Sequence, residues 1–121
     1  MPNPRLMIQD YAGVTVVTFN ESSILDAAVI TQLGQELYDL VDKQAKQKLI
    51  LDFSNVKFLA SQTLGVLLNL NKKASTIKGD VVLCGIRKEL MKVFEITQLN
   101  KILKFYRDDA EALAAFKVFV K

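Results

Sequence analysis

The stretch over residues 49–70 constrains the fold more than any other part of the chain. It reads Leu-Ile-Leu-Asp-Phe-Ser-Asn-Val-Lys-Phe-Leu-Ala-Ser-Gln-Thr-Leu-Gly-Val-Leu-Leu-Asn-Leu. Leu49-Ile50-Leu51 is a short unbroken apolar run, the pattern of a strand covered on both faces, and Asp52, Ser54 and Asn55 then supply turn chemistry. From Ser61 the period changes. Leu64, Leu67 and Leu68 recur at three and four residues, in a segment long enough for four helical turns. The loop over 58–63 therefore stands where a strand hands over to a helix. In such units the helix N-termini, with their free amide groups, collect at the carboxyl edge of the sheet, where sites usually lie.

The rest of the chain alternates around this unit. Arg5 to Tyr11 and Val14 to Phe19 are extended runs separated by Ala12-Gly13, the pattern of a hairpin, and Pro2 and Pro4 keep the tail ahead of it out of helix. Asp26 is the natural N-cap of a first helix in which Ile30, Leu33, Leu37, Leu40 and Val41 recur at helical spacing. A polar loop over 42–48 leads into the central strand. Lys78-Gly79-Asp80 stops the second helix, with the glycine expected in the left-handed conformation that a helix C-terminus favours. There follow a strand over 81–84, a short helix carrying Leu90, Met91 and Phe94, and a strand over 102–106. Asp108, Asp109 and Glu111 open a final helix whose Leu113 and Phe116 face inward. The alternation past the hairpin implies right-handed crossovers. The expected fold is α/β, a mixed and largely parallel five-stranded sheet with four helices and an N-terminal hairpin, forming one domain over 1–121.

Composition narrows the chemistry. With 121 residues, half of them apolar, the chain can bury a core without a metal or disulfide staple. There is no histidine and only one cysteine, Cys84, which excludes a histidine-based triad and a zinc site and leaves Cys84 as a packed thiol in its strand. No glycine-rich phosphate loop occurs among five glycines, and no cofactor is implied. Asp26 and Asp52 could meet in space, but Asp26 already has a capping role, so no enzyme activity is expected. No apolar stretch approaches the ~20 residues of a membrane span, and no charged-then-apolar signal pattern opens the chain, so a cytoplasmic protein is expected. The net charge is +3, and its small lysine groups lie near helix ends and turns with few aromatics between them. They read as dipole-matched, solubilising residues and not as a nucleic-acid footprint.

Two features remain for function. Leu64, Val66, Leu67, Leu68 and Leu70 cover more than one helix face, so the surplus is either buried under a neighbouring helix or a docking surface for a partner. Ser61 and Thr63 flank the start of that helix, as capping hydroxyls or as phosphate acceptors. A phosphate there would add close to two negative charges beside a docking surface.

Residues 51–68 resemble the central motif of STAS domains, the family of bacterial anti-sigma factor antagonists and sulphate-transporter tails. Ile24-Leu25-Asp26 is similar to the family's motif before its first helix, and Val93-Phe94-Glu95-Ile96-Thr97-Gln98-Leu99 to the segment before its last strand. The family's loop is Asp-Ser-Ser-Gly-Leu-Gly, and this chain has Ala60-Ser61-Gln62-Thr63-Leu64-Gly65. In the antagonists the second serine is phosphorylated by an anti-sigma factor that is also a serine kinase, and that position is Gln62 here. Ser61, Leu64 and Gly65 match the motif, and Asp26 matches an aspartate close to the phosphorylation loop. The resemblance implies a transcription-regulating module without enzymatic activity. It would bind an anti-sigma factor or serine-kinase-like protein through Asp26, Ser61, Gln62, Thr63, Leu64 and Gly65. Phosphorylation candidates are Ser61 and Thr63. The competing expectation is a scaffold that assembles with itself or with other STAS domains.

Overall fold

The computed structural model describes residues 5–118. Pro2 and Pro4 lie outside them. Strands β1 (Leu6–Tyr11) and β2 (Val14–Phe19) form the expected hairpin, in register from Leu6 opposite Phe19 to Tyr11 opposite Val14. The two turn residues, Ala12 and Gly13, sit at φ of 50° and 87°, the positive values that a two-residue hairpin needs to match the strand twist. Then come β3 (Ser23–Ile24), α1 (Ala27–Asp42), β4 (Lys48–Asp52), β5 (Phe58–Leu59), α2 (Ser61–Thr76), β6 (Asp80–Cys84), α3 (Lys88–Ile96), β7 (Lys104–Tyr106) and α4 (Asp109–Ala115). The main sheet has five strands in the order β1-β2-β4-β6-β7, antiparallel only at the hairpin and parallel elsewhere.

Three local expectations are corrected. The segment 58–63 is not a loop: Phe58 and Leu59 pair with Ser23 and Ile24 in a separate two-stranded parallel ribbon, and α2 begins at Ser61. The last strand is shorter than 102–106, because a 3-10 turn at Leu99–Lys101 carries the chain to Leu103 before pairing begins. At the end of α2 the left-handed residue is Lys78 (φ 59°), not Gly79. Gly79 is needed for space, since a Cβ there would lie 2.6 Å from the carbonyl oxygen of Gln47. The backbone runs that close because Asp80 N–H donates to the same oxygen at 2.7 Å, tying the start of β6 to the loop before β4.

The centre of the sheet, β2, β4 and β6, is buried on both faces, which explains the unbroken apolar run there. Leu49 and Leu51 point into the larger core layer with Phe19, Leu37, Leu67 and Phe94, under α1, α2 and α3. Ile50 points the other way, into a smaller layer with Val14, Val16, Val82 and Cys84, closed by Ala112 and Leu113 of α4. Burying each such side chain contributes about 1.5–3 kcal/mol. The surplus apolar face of α2 is also accounted for. Leu64, Leu67 and Leu70 are buried, Val66 and Leu68 pack partly against the same layer, and α1 approaches at Gly34, where a Cβ would be 3.4 Å from both Val66 methyls. That surplus lies beneath a neighbouring helix.

Candidate functional site

The β3–β5 ribbon sets the geometry of the site. Lys57 N–H donates to the carbonyl of Ser22 at 2.7 Å, and Ala60 N–H to the carbonyl of Ile24 at 2.9 Å. Asp26 is two residues beyond Ile24 and Ser61 one beyond Ala60, so α1 and α2 start side by side. Their ends differ. Asp26 caps α1 as the sequence predicts, its Oδ1 accepting from the amides of Ala28 at 2.8 Å and Val29 at 3.2 Å. The N-cap position of α2 is Ala60, and no side chain bonds its first amides. Ser61 and Thr63 are therefore not caps. Thr63 N–H donates to the Ala60 carbonyl at 2.9 Å, so the open end of α2 combines the amides of Ser61 and Gln62 with the positive end of the helix dipole, and its first turn carries no acidic residue.

The expected site residues divide by depth. Asp26, Ser61, Gln62 and Gly65 are exposed. Thr63 and Leu64 are not, at 6% and 5% exposure, because the helix phase that buries Leu67 turns both toward the sheet. The Thr63 hydroxyl is enclosed and makes no hydrogen bond, and the residue lines a cavity of about 10 Å³ together with Phe19, Ile24, Ile30 and Leu67. Such a space holds one water at most. Of the two candidate hydroxyl residues, only Ser61 reaches the surface.

Two residues that the sequence reading left out belong to this surface. Strand alternation in the ribbon sends Ile24 inward, fully buried, and turns Leu25 and Phe58 outward at 56% and 59% exposure. In the ribbon register Phe58 lies opposite Ser23 and Leu25 falls opposite Ala60, so the two apolar side chains are diagonal neighbours on one face. The signal was the order apolar-apolar-acid in Ile24-Leu25-Asp26, since successive residues of an extended segment point to opposite sides and only one of two adjacent apolar side chains can then be buried. The surface thus offers an apolar pair, open amide donors and one carboxylate. The other carboxylate considered, Asp52, is occupied in its own turn by the amide of Ser54 at 2.9 Å. Among the described residues no group of three or more Cys, Asp or Glu side chains is placed to hold a metal ion, and no helix is long and apolar enough to cross a membrane. Several lysines are paired with acids, Lys46 with Asp10 at 3.2 Å and Lys73 with Asp42 at 2.9 Å among them, which limits the free positive charge on those faces.

Comparison with known proteins gives a consistent picture. The STAS domain family profile matches residues 5–112. BtrV of Bordetella bronchiseptica, assigned as an anti-sigma factor antagonist, is 31% identical over 94 residues, covering 78% of this chain and 80% of that protein. The anti-sigma F factor antagonist of Paenibacillus polymyxa is 22% identical over 116 residues, 96% of this chain and 97% of its own. Among solved structures, an anti-sigma factor antagonist from Mycobacterium paratuberculosis superposes with a TM-score of 0.81 at 25% identity, covering 93% of this chain and 92% of that one.

Proposed function

The chain belongs to the STAS domain family, and from that premise we propose that it is an anti-sigma factor antagonist-like binding module for an anti-sigma or serine-kinase-like protein. The docking surface comprises Leu25, Asp26, Phe58, Ser61, Gln62 and Gly65. The observation that carries this reading is the Ala60-to-Ile24 hydrogen bond, which holds one capped and one uncapped helix start together beside an exposed apolar pair. Binding then combines burial of Leu25 and Phe58 with hydrogen bonds from partner carboxylate or carbonyl oxygens to the open amides of α2. In this reading Thr63 and Leu64 support the surface from beneath.

The same reading bears on control. Gln62 stands where the resemblance places the phosphoacceptor serine, and an amide cannot accept phosphate. The surface accordingly remains competent for docking unless Ser61 is modified. A phosphate on Ser61 would meet the partner's acceptor groups and the Asp26 carboxylate with like charge.

The test is a pull-down from native lysate with wild type and Gln62→Glu, identifying captured proteins by mass spectrometry, with phosphopeptide mapping of protein from its own cells. Capture of a kinase-like anti-sigma factor by wild type and its loss in Gln62→Glu is the expected result. Modification at Ser61 would mean the switch has moved by one residue, and none would mean the module is constitutive. If both forms capture the same unrelated proteins, or only themselves, the antagonist reading is wrong.

A further inference from the structure

The two edges of the main sheet are protected very differently. At one end β7 is three residues long and begins with Lys104, and short, lysine-bearing edges resist pairing with another chain. At the other end β1 is six residues long, Leu-Met-Ile-Gln-Asp-Tyr, with no lysine and no proline. Among the described residues no strand pairs with its outer side. Its one charge, Asp10, is already engaged, accepting from the Thr15 hydroxyl at 2.6 Å and from Lys46 at 3.2 Å.

The hydrogen-bond phase of the hairpin shows which groups this edge presents. Asn20 N–H donates to the Arg5 carbonyl at 2.9 Å, so Arg5 and Asn20 form a hydrogen-bonded pair. Such pairs alternate along an antiparallel ladder, which makes Met7/Thr18, Gln9/Val16 and Tyr11/Val14 the bonded ones. Leu6, Ile8 and Asp10 fall in the other class and direct both N–H and C=O away from β2. Met7 and Ile8, on opposite faces of this edge, are 44% and 45% exposed.

We propose that β1 pairs antiparallel with β1 of a second copy of this chain about a two-fold axis at Ile8, joining two sheets into one of ten strands. The edge is self-complementary in that register. Ile8 faces Ile8 of the other copy and Leu6 faces Asp10, so every outward N–H meets an outward C=O and each of the three pairs exchanges two hydrogen bonds. Ile8 packs on its own copy, and Met7 approaches Gln9. A contact six residues long is smaller than a standard stable interface, so the association is concentration-dependent. It gives the self-assembling alternative a defined surface, separate from the residues assigned to partner docking, and the two readings can fail independently.

Sedimentation equilibrium from low micromolar to near-millimolar protein tests this. The expected result is an average mass rising from 13.6 kDa toward twice that value. Ile8→Lys, at a half-exposed position, should remain monomeric throughout with an unchanged melting curve, while Lys104→Ala at the opposite edge should dimerise like wild type. In wild type the amides of Leu6, Ile8 and Asp10 should exchange with solvent more slowly as concentration rises, a readout that does not depend on any variant folding. A monomer at every concentration, a dimer that persists in Ile8→Lys, or protection of these amides only when a different protein is added would overturn the proposal.

Discussion

Gly65 lies inside α2 on its exposed side, and a Cβ added there would meet no atom within 4 Å. An exposed glycine in a helix interior destabilises by about 1 kcal/mol relative to alanine, and nothing in the chain's own packing offsets this. Gly65→Ala is therefore expected to raise stability by roughly 0.5–1 kcal/mol, read as a higher urea midpoint at unchanged slope. On the proposed function the bare backbone at Gly65 is where a partner packs closely, so the same substitution should weaken capture of the kinase-like protein. Higher stability with unaltered capture would remove Gly65 from the docking surface. Asp26 separates cap from contact in the opposite sense. Asp26→Ala removes two hydrogen bonds to α1 amides and should lower stability by about 1 kcal/mol, whereas Asp26→Asn keeps an acceptor oxygen and should lose much less. If Asp26→Asn nevertheless reduces capture, its charge belongs to docking and not only to the cap.

At the scale of elements, what the sequence made legible was what local chemistry decides. The apolar run at β4, the helical periods of α1 and α2, the Asp26 cap and the Ala12-Gly13 turn each carry their own signal within a few residues, and each stands where the pattern places it. The β3–β5 ribbon carried no such signal. Two-residue strands have no period, and their pairing joins segments some 35 residues apart in sequence, a contact that only the assembled sheet decides. The burial of Thr63 and Leu64 is of the same kind. Which face of α2 turns inward depends on how α1 and the sheet receive Leu67 and Leu70. The end of α2 shows how a correct residue can be read for the wrong reason, since glycine was expected there for its dihedral freedom and is required for proximity. This difference is measurable. Gly79→Ala places a methyl against the Gln47 carbonyl and should lower stability by about 1–3 kcal/mol, the usual range for overpacking. Lys78→Gly removes a left-handed non-glycine residue and should be neutral or slightly stabilising. Gly79→Ala with no loss of stability would remove the proximity explanation.

For the whole molecule the consequential asymmetry is between the two layers on the sheet. Three helices close one face, while the other is covered by α4, seven residues long, through Ala112 and Leu113. A helix that short has no stability of its own and persists only while docked. Cys84 lies beneath it, fully buried, and its thiol is held well above the usual range, first by burial and then by the carboxylates of Asp52, Asp109 and Asp108. Both features make Cys84 a reporter of α4. In wild type, alkylation at neutral pH should be very slow, because the thiol is shielded and protonated. Leu113→Ala removes most of the docking side chain, a change of about 2–5 kcal/mol for a buried leucine. If that loss falls on local opening of α4, the open population rises by more than ~10-fold, and Cys84 labelling should accelerate by the same factor. Amides of α1 and α2 should keep their wild-type protection against exchange, because the larger layer does not involve α4. Should labelling accelerate only in step with loss of protection in α1 and α2, the two layers unfold together and the sheet holds a single cooperative core.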